Sequence, residues 1–205
     1  MTATRVGVFG GTFDPVHIGH LVIAEEARAA FGLARVIFVP ARISPHKLGV
    51  MPASGEDRYQ MVRLAIAGNP AFWVSRVDLD RAGPSYTVDT LRALQAHVGA
   101  GVQLYFIMGA DSLLAFRAWH QPREILQMTR LLVVSRPGYA PDLAALDRDL
   151  PGSAAATDLL DTVALDISAT DLRARVKQGR PIRYQVPEAV ERYIVQRGLY
   201  TTSGQ

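Results

Sequence analysis

The chain has 205 residues, with 22 Lys and Arg against 19 Asp and Glu, a net charge of +3 and no cysteine. This length suits one domain, residues 1–205, that buries a core without staples, with about 166–205 expected as a small C-terminal helical part. The composition excludes a disulfide framework, a thiolate metal site and any apolar run near the ~18 residues of a membrane span, and the thin positive excess forms no basic block for a nucleic-acid groove.

No charged-then-apolar leader precedes the first strand signal, so a soluble cytoplasmic protein is expected, with neither membrane nor nucleic acid as partner. Val6 to Phe9 is short, apolar and β-prone, and reads as a buried strand. Gly10-Gly11-Thr12-Phe13-Asp14-Pro15 reads as a turn. From His17 the period becomes helical, with Leu21, Ala24, Ala27, Arg28 and Phe31 on one side and Gly32 as the stop.

A strand, a glycine turn and a helix start make an anion site, because unpaired N–H groups and the positive dipole end meet there. His17 and His20, three apart, share a face at that end, and two imidazoles there can donate hydrogen bonds to a phosphate whose charge grows during reaction. Capping and metal ligation are the other readings of the pair. Metal binding lacks an H-E-x-x-H pattern and an obvious third ligand, so no metal held by protein side chains is expected. Neither G-x-G-x-x-G nor the Walker pattern occurs.

Arg35 to Pro40 holds a second strand, and a strand-helix-strand succession predicts a parallel unit. The following loop, Ser44-Pro45-His46-Lys47, leaves the sheet at the same edge as the Gly-Gly turn, which places His46 and Lys47 to meet a second anion. Ser54 to Asp57 has capping-box spacing before a helix carrying Tyr59, Val62, Ala65 and Ile66. Phe72 to Ser75 is the third strand, with Trp73 expected in core or sheet packing. Gly83-Pro84 marks a turn, after which Ser85 or Thr87 is expected to cap a helix with Leu91, Leu94 and Val98.

Gln103 to Met108 is the fourth strand, and Gly109-Ala110-Asp111 opens another strand-glycine-helix junction with Asp111 as the expected N-cap. Arg130 to Ser135 is the fifth strand and leads to Arg136, whose permanent charge at the ligand edge suits phosphate. A helix is expected near Pro141 to Asp149, then a loop, then a short last strand at Val163-Ala164-Leu165. Ser168 with Asp171 again has capping-box spacing, and Val186-Pro187-Glu188 opens the final helix. The fold class expected is α/β, a Rossmann-like, doubly wound, mostly parallel sheet.

The run Gly10-Gly11-Thr12-Phe13-Asp14-Pro15-Val16-His17-Ile18-Gly19-His20-Leu21 resembles the signature of the HxGH nucleotidyltransferases, in the version of the bacterial nicotinate-nucleotide adenylyltransferases. The later motifs extend the resemblance over most of the chain. It implies transfer of AMP from ATP to nicotinate mononucleotide, with His17 and His20 catalytic and Mg²⁺ carried by the ATP phosphates. It implies that Gly10, Gly11, Thr12, Phe13, Gly109 and Asp111 bind ATP, and that Ser168, Thr170 and Arg173 grip its β- and γ-phosphates. It further implies that Lys47 contacts the mononucleotide phosphate, that the Ser85-Tyr86-Thr87 backbone holds the nicotinate carboxylate, and that Trp119 stacks on the pyridine beside His120. The family's first loop proline is Ser44 here. Two other readings stay open: a sister enzyme using nicotinamide mononucleotide or phosphopantetheine, and a nucleotide-binding regulator without catalysis. Whether the chain is a monomer or a homo-oligomer is not decided by these motifs.

Overall fold

A computed structural model describes residues 3–44, 52–135, 141–163 and 165–201. The chain alternates strand and helix: β1 (Thr4–Gly11), α1 (Ile18–Phe31), β2 (Arg35–Pro40), α2 (Gly55–Ile66), β3 (Phe72–Val74), α3 (Thr87–Val98) and β4 (Val102–Gly109). Next come α4 (Ala110–Leu114), a 3₁₀ turn at Phe116–Ala118, α5 (Pro122–Met128), β5 (Thr129–Ser135), α6 (Leu143–Asp149), β6 (Thr157–Asp161), α7 (Ala169–Lys177) and α8 (Glu188–Gln196).

The six strands form one sheet in the order β3-β2-β1-β4-β5-β6, and every pairing is parallel. This is a Rossmann-like α/β fold. Strand residues alternate between two packed faces, because both sides of the sheet are covered. Phe9, Val36 and Phe38 join one apolar cluster with Ala24 and Ala27 of α1, Met61 and Val62 of α2, Leu172 of α7, and Val190 and Ile194 of α8. Val6, Val8, Ile37 and Val39 join the other, with Val88 and Leu91 of α3, Ile125 of α5 and Leu146 of α6. Strand order reverses direction at β1, which pairs with β2 on one side and β4 on the other. The crevice beyond the C-terminal ends of β1 and β4 is where such sheets bind ligands.

Several expectations change. β1 continues through Gly10 and Gly11, so the turn begins at Thr12; Gly10 and Gly11 pair with Val39 and Pro40 and are held by the sheet. Trp73 is 51% exposed, since β3 is an edge strand of three residues, and its ring lies 4.0 Å from the Arg35 guanidinium. Neither Ser85 nor Thr87 caps α3, whose N-cap is Tyr86, and Asp111 lies inside the first turn of α4, whose N-cap is Gly109. The last strand is Thr157–Asp161, paired with β5, whereas Val163 and Leu165 are exposed beyond it; Ala164 lies outside the described residues. Three of the five residues of β6, Thr157, Asp158 and Asp161, are polar, and Arg130 donates to Asp158 at 2.6 and 2.9 Å. That polarity hid the strand. The caps Ser54 and Ser168 do accept from the N–H groups of Asp57 and Asp171.

Candidate active site

The connection from β1 to α1 is fastened from three directions. Phe13 has φ of +51°, a left-handed backbone that a bulky residue seldom adopts. Arg58 of α2, with no exposed surface, donates to the Thr12 carbonyl at 2.7 Å. Arg173 of α7 donates to the Asp14 carbonyl at 2.7 Å, and the Tyr200 hydroxyl donates to the Asp14 carboxylate at 2.6 Å. Gly11 leaves room for the Phe13 ring, which a Cβ there would meet at 2.9 Å.

His17 is the N-cap residue of α1 and His20 stands three residues on. The rings stack with centroids 3.7 Å apart. The His17 N–H donates to Nδ1 of His20 at 3.2 Å, so the neutral His20 ring carries its proton on Nε2. Gly19 between them gives the rings room: a Cβ would stand 3.1 Å from Nδ1 of His17, which would have to move by a few tenths of an ångström. Phe9 and Phe13 present edges to the His20 ring at 6.0 and 5.1 Å. His17 is 8% exposed and its Nδ1 has no partner among the described residues. Burial pushes its pKa down to about 4, so the imidazole is neutral in the free protein.

Two cavities meet at these rings. One, about 340 Å³, is lined by Gly10, Gly11, Thr12, Phe13, His20 and Arg173, and also by Ser85, Thr87 and Trp119. The other, about 500 Å³, is lined by His17, His20, Gly109 and Asp111 and runs along Ser135 and Ile167. His20 belongs to both walls. Trp119 is half-buried, with Phe106 and Phe116 against it at 5.9 and 5.4 Å. Ser168, Thr170, Tyr86 and His120 line neither cavity. Thr170 accepts from Arg173 at 3.3 Å, Ser168 caps α7, and Tyr86 packs on the His120 ring at 4.4 Å. His46, Lys47 and Arg136 lie outside the described residues.

Sequence reasoning missed the buried polar frame of the smaller cavity. Asp78, 5% exposed, accepts from Thr90 at 2.6 Å and from Arg81 at 2.9 Å. Burial pushes its pKa up against the pull of those donors. Ser85 in turn accepts from the Arg42 N–H at 2.9 Å and donates its own N–H to Ile43 at 2.9 Å. Ser85 thus ties the loop after β2 to the loop before α3, and Asp78 fastens that second loop to α3 through Thr90. Nothing local marked Asp78 in a charged stretch. Arg58 had a signal, since it shares the helical stripe of Met61 and Val62. Among the described residues no group of three or more His, Asp or Glu could hold a metal.

Residues 8–175 match the family described as cytidylyltransferase-like. The parallel sheet with a His pair at its switch point therefore belongs to a nucleotidyltransferase of that class. A Roseiflexus sp. (strain RS-1) protein named "Probable nicotinate-nucleotide adenylyltransferase" is 50% identical over 200 residues, 98% of this chain and 100% of the relative. One of the same name from Moorella thermoacetica is 48% identical over 200 residues, 96% of this chain and 91% of that one. The chain belongs to the nicotinate-nucleotide adenylyltransferase family. The solved Plasmodium falciparum nicotinic acid mononucleotide adenylyltransferase complexed with NaAD shares the fold, with a TM-score of 0.77, 17% identity, and coverage of 96% of this chain and 97% of that one. No helix among the described residues is long and apolar enough to cross a membrane.

Proposed function

We propose that this protein transfers AMP from ATP to nicotinate mononucleotide, releasing pyrophosphate and forming nicotinate adenine dinucleotide in cytoplasmic NAD biosynthesis. The observation that carries the reading is His20 standing in the shared wall of two cavities, with His17 stacked on it. An α-phosphorus at that wall would have one substrate on each side. The adenosine would occupy the 500 Å³ cavity beside Gly109 and Asp111. The pyridine nucleotide would occupy the 340 Å³ cavity, its ring against Trp119.

The acceptor phosphate is ionised at neutral pH and needs no general base. One of its oxygens forms a bond to the α-phosphorus as the bond to the β-phosphate oxygen breaks, and pyrophosphate leaves. The chain's contribution is positioning and charge stabilisation. Nε2–H of His20 and the His17 ring donate to the oxygens gaining charge. Arg173, held by Asp14 and Thr170, sets a fixed cation beside the triphosphate. The Asp89 and Thr90 N–H groups both bond to the Tyr86 carbonyl, leaving the Thr87 N–H, in the cavity wall at the α3 start, to receive the nicotinate carboxylate. An amide NH₂ at that place finds donors facing donors. Mg²⁺ arrives as part of the MgATP substrate, with water completing its shell.

Pyrophosphate release with ATP, Mg²⁺ and each of three acceptors tests this. Nicotinate mononucleotide is expected to exceed nicotinamide mononucleotide and phosphopantetheine in kcat/KM, and His20→Ala to reduce kcat by about 10². ATP binding with no pyrophosphate from any acceptor would refute the reading.

A further inference from the structure

Tyr200 lies beyond the last helix, 186 positions from the residue it touches, and its hydroxyl reaches the Asp14 carboxylate at 2.6 Å. Asp14 is 3% exposed, and its backbone carbonyl is the one Arg173 holds. The two ends of this contact are both under backbone constraint: Tyr200 has φ of +64° and Phe13, next to Asp14, has φ of +51°. Non-glycine residues stay in that region only when their surroundings over-determine them, and such positions cluster where geometry matters to function. Tyr200 follows α8, which packs through Val190 and Ile194 and is held to α2 by two donors to Asp57, so losing one donor leaves the helix anchored. That carboxylate accepts from the Tyr193 hydroxyl at 2.9 Å and from Arg197 at 3.3 Å.

We propose that Tyr200 is a positioning residue for adenylyl transfer: its hydroxyl, together with Arg58, holds the Thr12–Asp14 turn in the shape that presents backbone donors to the nucleotide. Arg58 draws the Thr12 carbonyl into the protein, so the Phe13 N–H on the same peptide plane points the opposite way. No described group accepts from that N–H. Asp14 is the far anchor of the same turn. Without the Tyr200 hydroxyl, its carboxylate can swing to the Arg58 guanidinium that it already attracts, and the turn relaxes. Burial pushes the pKa of the Tyr200 hydroxyl up, so it acts as the donor in this contact. The C-terminal segment thereby becomes part of the active site without touching substrate.

The inference rests on the proposed transfer reaction, and its test carries a matched control. Tyr200→Phe and Tyr193→Phe each remove one hydroxyl donated to a buried carboxylate, one on the turn and one away from it. Both are expected to lower Tm by a few degrees. Only Tyr200→Phe should lower kcat, by about tenfold, with the KM for nicotinate mononucleotide changed less than about threefold. Adding Tyr200→Phe to Asp14→Asn should bring little further loss. A kcat for Tyr200→Phe within twofold of wild type, or equal losses in both variants, overturns the inference. A wild type that releases no pyrophosphate would instead sink the transfer reading. The inference is then judged by the backbone amide resonances of Thr12 and Phe13, which move in Tyr200→Phe but not in Tyr193→Phe if the hydroxyl holds the turn, and stay put in both if it does not.

Discussion

Replacing His17 by Gln should remove a defined part of the acid sensitivity of this protein. The His17 imidazole is 8% exposed and burial brings its pKa from 6.5 to about 4, so the folded chain resists a proton that the unfolded chain accepts. The sign follows from proton counting. Between pH 6.5 and 4 the unfolded state binds more protons, so stability falls as pH falls. The neutral-His contribution is complete above pH 6.5 and is lost progressively down to about pH 4. At ~1.36 kcal/mol per pH unit, the loss by pH 5 is about 2 kcal/mol and saturates near 3 kcal/mol. Urea unfolding at pH 7.5 and pH 5.0 measures it: wild type should lose about 2 kcal/mol more than His17→Gln over that interval. Saturating ATP should shrink the difference, because a triphosphate beside the ring favours its protonated form. Equal pH dependence in the two proteins without ATP would refute the argument.

Asp78→Asn should raise the KM for nicotinate mononucleotide several-fold and leave that for ATP unchanged, because it loosens the Thr90 frame of one cavity only. Steady-state kinetics with each substrate varied decides it. Gly19→Ala should lower kcat by about tenfold or more, since the new methyl would stand 3.1 Å from the His17 ring and displace it. A crystal structure of that variant with an undisturbed His pair would contradict this. Ser168→Ala removes the acceptor for the Asp171 N–H and should cost about 1 kcal/mol, read as a fall of roughly 2–4 °C in Tm.

Period and punctuation made most of the fold legible. The cores of β1, β2, β4 and β5 are buried on both faces, so they stand out as runs of Val, Leu, Ile and Phe with few polar breaks. Gly32 at φ of +60° and the caps Ser54 and Ser168 mark helix ends by local chemistry alone. The edge strands were harder. Trp73 and β6 owe their state to having one neighbour instead of two, which no local pattern records. Ser85 and Thr87 have the composition of caps, yet the Ser85 hydroxyl is taken by the Arg42 N–H, and Tyr86 takes the cap position.

The amino-acid sequence by itself determined the alternation of strands and helices, the glycine-lined mouth of α1 and the spacing that sets two imidazoles on one face, because each depends on neighbours within one or two turns. Only the tertiary structure decided that the two rings stack, that His17 is desolvated and neutral, that Ser85 joins two loops, and that Arg58 and Tyr200 converge on the Thr12–Asp14 turn. The Arg58 and Tyr200 contacts join positions 46 and 186 residues apart. Burial and hydrogen-bond partnership belong to the packed assembly of the elements, and a stretch of sequence does not contain them.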